Sequence, residues 1–371
     1  MSFSAQDNRF MARAIELAAL GRYTTSPNPN VGAVLVQQGQ IVGEGYHHQA
    51  GGPHAEVVAL RQAGDQARGA DCYVTLEPCS HVGRTPPCAE ALVQAGVRRV
   101  IIAMQDPNPK VAGRGVAILT AAGIVVELGL MADCARALNP GFLSRMERQR
   151  PFVRLKLAAS LDGKTALRNG ASQWITSEAA RADVQLQRAQ CCAVLSTAAT
   201  VLADGARLGV RPEQASQLIT KLHDGKVRQP VRVVLDRQQR LTGQEPLFAQ
   251  SGPIVMVYPQ SSSHQPPAGA TALRLPCTTV GFELPALMAA LAEQQLNLLW
   301  VEAGAGLAGS LLQAGLVDEL WLYQAARILG DQARSLVSMP ELTSLQQAIE
   351  LRWQDVRLLG TDLRLIAGLE N

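Results

Sequence analysis

At 371 residues the chain exceeds one typical domain and is expected to hold two or three; with 47% hydrophobic and 18% charged residues it can bury sizeable cores. A net charge of +3 with the two signs interspersed excludes the basic footprint of a polynucleotide binder, and no run of about 20 apolar residues is available to span a membrane. Seven dispersed cysteines, an odd number, argue against a disulfide framework, and residues 1–7 lack the basic and apolar regions of a signal peptide, so a cytoplasmic location is the default expectation.

Phe10, Met11, Ile15, Leu17 and Ala18 recur at helical spacing and predict a helix over 7–20, stopped by Gly21. The proline-bearing turn Ser26-Pro27-Asn28-Pro29-Asn30 follows, then two strands over 31–37 and 40–46 joined tightly around Gly39. After Gly51-Gly52-Pro53 a helix is predicted over 54–63, with His54 and Glu56 in its first turn. A strand over 71–76 ends in a loop that runs from Glu77-Pro78-Cys79 to Pro87, and Cys88 begins a helix to about Ala95. A strand over 98–104, a helix over 114–122, a strand over 124–128 and a helix over 131–143 complete an α/β sandwich of five strands with helices on both faces.

One imidazole and two thiols in this half, His54, Cys79 and Cys88, can hold zinc. Three protein ligands leave the fourth position to water, a catalytic arrangement, whereas closed structural sites use four. Cys79 at a strand's carboxyl end and Cys88 at a helix start lie where open α/β sheets place their sites, and a helix N-terminus favours the thiolate that binds metal. Glu56, beside His54, can move protons. His-x-Glu followed by Pro-Cys-x-x-Cys marks zinc nucleobase deaminases; here the second cysteine follows eight intervening residues instead of two. Taken alone, His54 and Glu56 also fit a surface histidine and a helix N-terminal glutamate favoured by the dipole. His81 fits a further ligand, a substrate contact or a solvated loop residue, and the other five cysteines read as ordinary buried small residues.

The stretches PHAE and TLEPCSHVGRTPPC, with SPNPNVGAVLV before them and MQDPNPKVAGRG after, resemble the cytidine-deaminase-like fold. Within it they resemble the deaminase half of the bifunctional riboflavin-biosynthesis deaminase–reductases. The resemblance assigns His54, Cys79 and Cys88 to zinc and Glu56 to the proton shuttle. It also implies that Asn28, Arg84, Asp106 and Asn108 hold substrate, with Arg84 meeting a phosphate, a task suited to a guanidinium.

The charged, proline-ended segment 144–151 reads as a short linker, giving domains 1–147 and 148–371. A strand over 152–158 runs into Ala159-Ser160-Leu161-Asp162-Gly163-Lys164. Ser177 caps a helix to about Ala189, followed by a strand over 192–196, a loop with a short helix over 199–211, and strands over 231–236, 254–258 and 272–275. The polar loop 260–268 is expected to leave His264 solvated. A helix over 282–293, a buried strand over 297–302 and a helix to Ala314 come next, then strands over 320–324, 349–356 and 362–366. Gly304-x-Gly306-x-x-Gly309, between the buried strand and its helix, can cradle a pyrophosphate on backbone N–H groups or serve as a packing turn. Its late position and the lack of a clear acidic ribose ligand about 20 residues on depart from the full dinucleotide fingerprint.

KLAASLDGKTA, SQWIT, TVLADG, WVEAG and RILG resemble the dihydrofolate-reductase-like reductase half of the same family. The resemblance implies NADPH near Ala158, Trp174, Thr200, Asp204, Gly304, Ala305, Gly306, Leu307, Ala308, Gly309 and Ser310. It implies substrate near Lys156, Ser172, Arg188, Leu208, Arg211 and Glu302, with Arg188 and Arg211 meeting a ribose 5-phosphate. The family's loop usually runs Asp-Asp-Pro-x-Leu-Thr-Val-Arg, whereas this chain has Asp204-Gly205-Ala206-Arg207-Leu208-Gly209-Val210-Arg211, and two glycines are expected to make it more flexible.

The resemblance implies two consecutive reactions on one small phosphorylated pyrimidine. Zinc-activated water displaces the 2-amino group of 2,5-diamino-6-(5-phosphoribosylamino)pyrimidin-4-one, with Glu56 handling the protons, to give 5-amino-6-(5-phosphoribosylamino)uracil. Hydride from NADPH then converts the ribosyl unit to a ribityl chain. Deamination of nucleotides or tRNA is the rival within the same chemistry, opposed by the second domain and the charge balance. A non-catalytic ligand-binding or oligomerisation role for the second half is the other, supported only by the glycines at 205 and 209. A homodimer is the default assembly.

Overall fold

The computed structural model describes residues 3–80, 87–109, 111–214 and 227–369. The chain folds as two units, Met1–Gln149 and Arg150–Asn371. Among the described residues no helix is long and apolar enough to cross a membrane.

In the first unit Ser4 caps helix α1 (Ala5–Leu20): its hydroxyl accepts from the Asp7 N–H, and the Asp7 carboxylate accepts from the Ser4 N–H. Five strands form one sheet, β1 (Gly32–Gln37), β2 (Gln40–Tyr46), β3 (Asp71–Val74), β4 (Arg99–Ile102) and β5 (Val125–Leu128), in the order β2-β1-β3-β4-β5. β1 is antiparallel to both neighbours, while β3, β4 and β5 run parallel. Side-chain alternation along β1 feeds two cores. Ala33 and Leu35 pack with helices α2 (Ala55–Ala63), α3 (Cys88–Ala95) and α4 (Arg114–Ala121). Val34 and Val36 pack with Phe10, Met11, Ala14 and Leu17 of α1 on the other face.

The single helix expected over 131–143 is two, α5 (Ala132–Ala137) and α6 (Pro140–Arg148). Pro140 has no N–H to continue a helix and suits a first turn. Asn139 instead bonds across to Asn30, accepting its N–H at 2.7 Å and donating to its carbonyl at 2.9 Å. α6 also absorbs most of the segment read as a linker. Phe142, Leu143 and Ser144 are buried, and the charges of Arg145, Glu147 and Arg148 belong to a helix rather than to a connecting stretch of chain.

The second unit is built on a nine-stranded sheet. Its strands are β6 (Phe152–Ser160), β8 (Ala193–Thr197), β9 (Val231–Leu235), β10 (Ile254–Pro259), β11 (Ala270–Leu275), β12 (Leu298–Glu302), β13 (Glu319–Ala325), β15 (Leu351–Leu359) and β16 (Asp362–Leu369). The order is β11-β10-β9-β8-β12-β6-β13-β16-β15. Pairing is parallel from β11 to β13 and antiparallel through β16 and β15. Two short strands outside the sequence expectation, β7 (Lys164–Ala166) and β14 (Arg334–Ser335), pair with each other. Helices α7 (Glu178–Gln190) and α8 (Ala198–Asp204) contribute to one apolar cluster; α9 (Leu284–Glu293) and α10 (Ala305–Gln313) contribute to another. His264 packs edge-on to Tyr258, with ring centroids 5.2 Å apart, so the polar loop does not leave it simply solvated.

Asp7, only 5% exposed, also accepts from the Tyr73 hydroxyl at 2.7 Å and from Arg99 at 2.9 Å. Burial alone would raise its carboxyl, but the bonds from Ser4, Tyr73 and Arg99 outweigh burial and hold it well below its ordinary value of 3.8. A depressed folded value means that the stabilisation is complete above the unfolded value and lost as pH falls through the folded one. Asp7→Ala is expected to destabilise the first unit by about 2–4 kcal/mol in urea titrations. It should also flatten the loss of stability below about pH 4; an unchanged acid limb would assign that limb to other carboxylates.

Candidate functional site

His54 sits at the N-cap of α2, its backbone extended, so its side chain stands at the helix start with Glu56 in the following turn. Cys79 follows β3, and Cys88 is the first residue of α3. His54 Nδ1 lies 3.3 Å from Cys88 Sγ and 3.5 Å from Cys79 Sγ, and the three donor atoms are all within 4.8 Å of one another. The Cys88 N–H also points at Cys79 Sγ, at 3.3 Å. The Cys88 thiol bond, helped by His54 and that N–H, outweighs burial and pulls the Cys79 thiol well below its ordinary value; the thiolate left there and burial push Cys88 up. Hydrogen bonding to Cys79 raises His54. Glu56 is 3% exposed, and burial followed by the charge of Cys79 pushes its carboxyl up to about 7. Two sulfurs and one imidazole nitrogen at this separation fit a tetrahedral zinc ion with one position left over. When bound, that ion supplies Lewis-acid activation of water.

Asn28 reaches this cluster through His47, a residue that no motif in the sequence marks. His47 Nδ1 donates to the Pro53 carbonyl at 2.9 Å, so Nε2 is the acceptor for Asn28 Nδ2 at 3.0 Å. Burial lowers His47, which favours this neutral tautomer. Its ring stands edge-on to His54, centroids 5.4 Å apart. The only signal for His47 in the sequence is its place just after β2, near Pro53. Asp106 is buried and accepts the Asn108 N–H at 2.8 Å. His81 and Arg84 lie outside the described residues.

In the second unit Lys156 of β6 and Glu302 of β12 are register partners on adjacent parallel strands. Arg188 of α7 grips Glu302 in a bidentate pair at 2.5 and 2.8 Å and donates to the Gly209 carbonyl at 2.9 Å. Trp300 Nε1 donates to the same carboxylate at 2.9 Å. Burial would raise Glu302, but Arg188, Lys156 and Trp300 together hold it at about 2. Burial lowers Lys156, with Glu302 opposing. Ser172 Oγ donates to Asp204 Oδ1 at 3.4 Å, and the Asp204 charge is felt at Lys156. The guanidinium of Arg188, expected at a phosphate, is engaged at all three nitrogens by Glu302 and the Gly209 carbonyl. Arg211 directs its side chain to Gln214 at 3.4 Å.

The loop 204–211 is not loosened by its glycines. Gly205 takes the left-handed turn that ends α8, and Leu208 is buried. Gln229 holds both the N–H and the carbonyl of Val210, Gln250 adds a second bond to that carbonyl, and the Arg211 N–H donates to Gln185.

The glycine motif divides. A Cβ on Gly304 or Gly306 would meet nothing within 4 Å, whereas one on Gly309 would collide with the Ser338 carbonyl. Gly309 is thus a packing glycine, and Ala308 beside it is in the core. Gly304 to Gly306 remain at the open start of α10, immediately after β12, while Leu307 packs against the core and Ser310, a turn further on, donates its hydroxyl to the Gly306 carbonyl at 3.0 Å. Thr200 lies in the first turn of α8, immediately after the adjacent strand β8, its N–H capped by Thr197. Such neighbouring helix starts at strand carboxyl ends suit the phosphates of a dinucleotide. Trp174 is exposed, with the Arg181 guanidinium 4.5 Å from its ring, and Ala158 pairs with Tyr323 along β6. This open cradle fits NADPH, which when bound supplies hydride.

Residues 4–104 match the family described as the cytidine and deoxycytidylate deaminase zinc-binding region, and residues 151–365 match the RibD C-terminal domain. The chain is 52% identical over 361 residues to the riboflavin biosynthesis protein RibD of Escherichia coli K12, covering 97% of this chain and 98% of that protein. It is 50% identical over 370 residues to RibD of Haemophilus influenzae, covering 98% of each. Among solved structures, Acinetobacter baumannii RibD matches with a TM-score of 0.91 at 45% identity over 99% of both chains. A diaminohydroxyphosphoribosylaminopyrimidine deaminase/5-amino-6-(5-phosphoribosylamino)uracil reductase of Thermotoga maritima matches with a TM-score of 0.87 at 32% identity, covering 98% of this chain and 99% of that one.

Removing one sulfur from the cluster should cost metal. Cys88→Ser is expected to lower bound zinc well below one ion per chain, read by elemental analysis after dialysis; full occupancy would remove Cys88 from the ligand set.

Proposed function

The chain belongs to the bifunctional riboflavin-biosynthesis deaminase–reductase family, and from that premise we propose that the two clusters described above are its two catalytic sites, with particular roles for their residues. The first reaction replaces the 2-amino group of the pyrimidine by oxygen; the second reduces the ribosyl side chain to ribityl. The observation that carries the first assignment is the convergence of His54, Cys79 and Cys88 beside a buried carboxylate.

In the first site Glu56 takes a proton from the attacking water as the carbon–oxygen bond forms at C2. It then delivers protons to the ring nitrogen and to the departing ammonia as the carbon–nitrogen bond breaks. Its burial keeps bulk water from competing. Asn28, Asp106 and Asn108 hold the pyrimidine, and His47 orients the Asn28 amide. Arg84 is assigned to the phosphate on the family resemblance.

In the second site NADPH, when bound, would supply the hydride that C1′ of the opened sugar needs, and the attached nitrogen would need a proton in return. Lys156 and Ser172 offer donors to the sugar, and Glu302, held ionised by Arg188, is a fixed acceptor. Arg188 works through Glu302, which leaves Arg211 for the 5-phosphate. Leu208 and Asp204 shape the wall between sugar and cofactor.

Glu56→Gln is expected to keep zinc and to lose deamination by about 10²–10⁴-fold, while still oxidising NADPH when given the deaminated intermediate. Arg188→Ala should do the reverse. Wild-type deamination in the first variant would end the proton role, and loss of both activities in the second would end the assignment of separate sites.

β15 is one of the two edges of the second sheet, the other being β11, and exposes Trp353 (60%), Val356 (59%) and Leu358 (68%). An apolar edge strand of this kind is what a second copy covers. A homodimer through β15 is the assembly this supports. Light scattering should give twice the chain mass for the parent and the chain mass for Val356→Lys; a parent that is monomeric at working concentration would refute it.

A further inference from the structure

Glu77 stands two residues before Cys79, is 3% exposed, and has no part in the roles above. Its carboxylate accepts four backbone N–H groups. Oε2 takes those of Asp106 at 3.3 Å and Gly113 at 3.0 Å; Oε1 takes those of Gly115 at 3.0 Å and Val116 at 3.2 Å. Its own N–H donates to the Met104 carbonyl at 3.0 Å. These partners lie at both ends of the segment 105–113 and in the first turn of α4. That segment carries Asp106 and Asn108, already joined to each other by the Asn108 N–H.

The approach between the two segments is close. A Cβ on Gly115 would collide with the carbonyl of Pro78, the residue between Glu77 and Cys79. Glycine at 115 therefore lets α4 begin directly against the metal-binding loop. Four donors converging on one side chain call for an acceptor at both of its oxygens, which a carboxylate supplies and an amide does not. A negative charge also suits the start of α4.

We propose that Glu77 is a positioning residue for deamination: by closing the 105–113 segment at both ends and tying it to Pro78-Cys79, it sets Asp106 and Asn108 at a fixed distance from the metal ligands and so sets the affinity for the pyrimidine. The proposal rests on the reading that Asp106 and Asn108 hold substrate.

The test uses the full-length protein. In Glu77→Gln the amide NH2 faces two backbone donors. The KM for deamination should rise about tenfold or more, with kcat changed less, zinc still stoichiometric, and NADPH oxidation with the deaminated intermediate unchanged. Asn108→Ala alone should also raise KM, and adding Glu77→Gln to it should raise KM by a smaller factor than in the parent. If Asn108→Ala leaves KM unaltered, the substrate reading fails, whatever Glu77 does. If Asn108→Ala raises KM but Glu77→Gln leaves it unchanged, multiplies it equally in both backgrounds, or strips the zinc, the positioning role is overturned. Should Glu77→Gln be insoluble, Gly115→Ala decides, since it pushes α4 from Pro78 with the carboxylate intact: the same rise in KM with zinc retained supports the proposal, and an unchanged KM defeats it.

Discussion

Parallel strand direction is the constraint on which both sites depend. Strands that run the same way release their loops at one edge of the sheet and return through helices whose N-termini face that edge. In the first unit β3 and β4 are parallel, so the loop with Cys79 and the loop with Asp106 and Asn108 leave together. β2 has the same direction, since β1 is antiparallel to both β2 and β3. His47 and His54 therefore emerge at the same edge, and so does the turn with Asn28, which enters β1 there. The second unit repeats the arrangement with β8, β12 and β6. Thr200, Gly304 and the Lys156–Glu302 pair are brought together by it although far apart in sequence.

Within that frame, the buried carboxylates differ in how each one is satisfied. Asp7 is met by Ser4, Tyr73 and Arg99, and Glu302 by Arg188, Lys156 and Trp300; both are held ionised. Glu77 is met by four backbone N–H groups. Glu56 is buried as deeply, yet its carboxyl is pushed up to about 7, with the charge of Cys79 adding to burial. A carboxylate poised in this way exchanges a proton readily, whereas one satisfied on every side holds geometry. Arg188, in a bidentate pair with Glu302, is the first of the partners that hold this carboxylate charged.

The metal cluster was legible because its chemistry restricts residue type: only a few side chains bind zinc, and His54, Cys79 and Cys88 are among them. The strand and helix order was legible from apolar periodicity in nearly every element. Less could be read where an ordinary residue acts through position. His47 and Glu77 are common types at loop starts, and what distinguishes them is their partners: Asn28 and the nearby Pro53 for one, and the backbone N–H groups of 106, 113, 115 and 116, distant in sequence, for the other. The helix expected over 131–143 failed for a similar reason. Apolar spacing continued through Asn139-Pro140, while the tie from Asn139 to Asn30 gave the chain a reason to turn. Gly309 matched a phosphate motif by spacing, but the nearby Ser338 carbonyl makes it a packing glycine.

The loop 204–211 shows why a departure from a family pattern cannot be judged one residue at a time. Glycine at 209 suggested slack because a side chain had been removed. In the folded chain the amide of Gln250 lies where a Cβ on residue 209 would be, and the same amide bonds the Val210 carbonyl. Gln229 closes on Val210 from its own side, and Arg188 fixes the Gly209 carbonyl while gripping Glu302. The volume missing at 209 is therefore supplied from 250, and a larger residue at 209 would require the end of the Gln250 side chain to move aside. The backbone that presents Leu208 and Arg211 is held by side chains from α7 and from distant loops as well as by the loop's own Gly205 turn. The only sequence feature that favoured a non-catalytic second half thus coincides with a loop tied at 209, 210 and 211 by side chains from outside it.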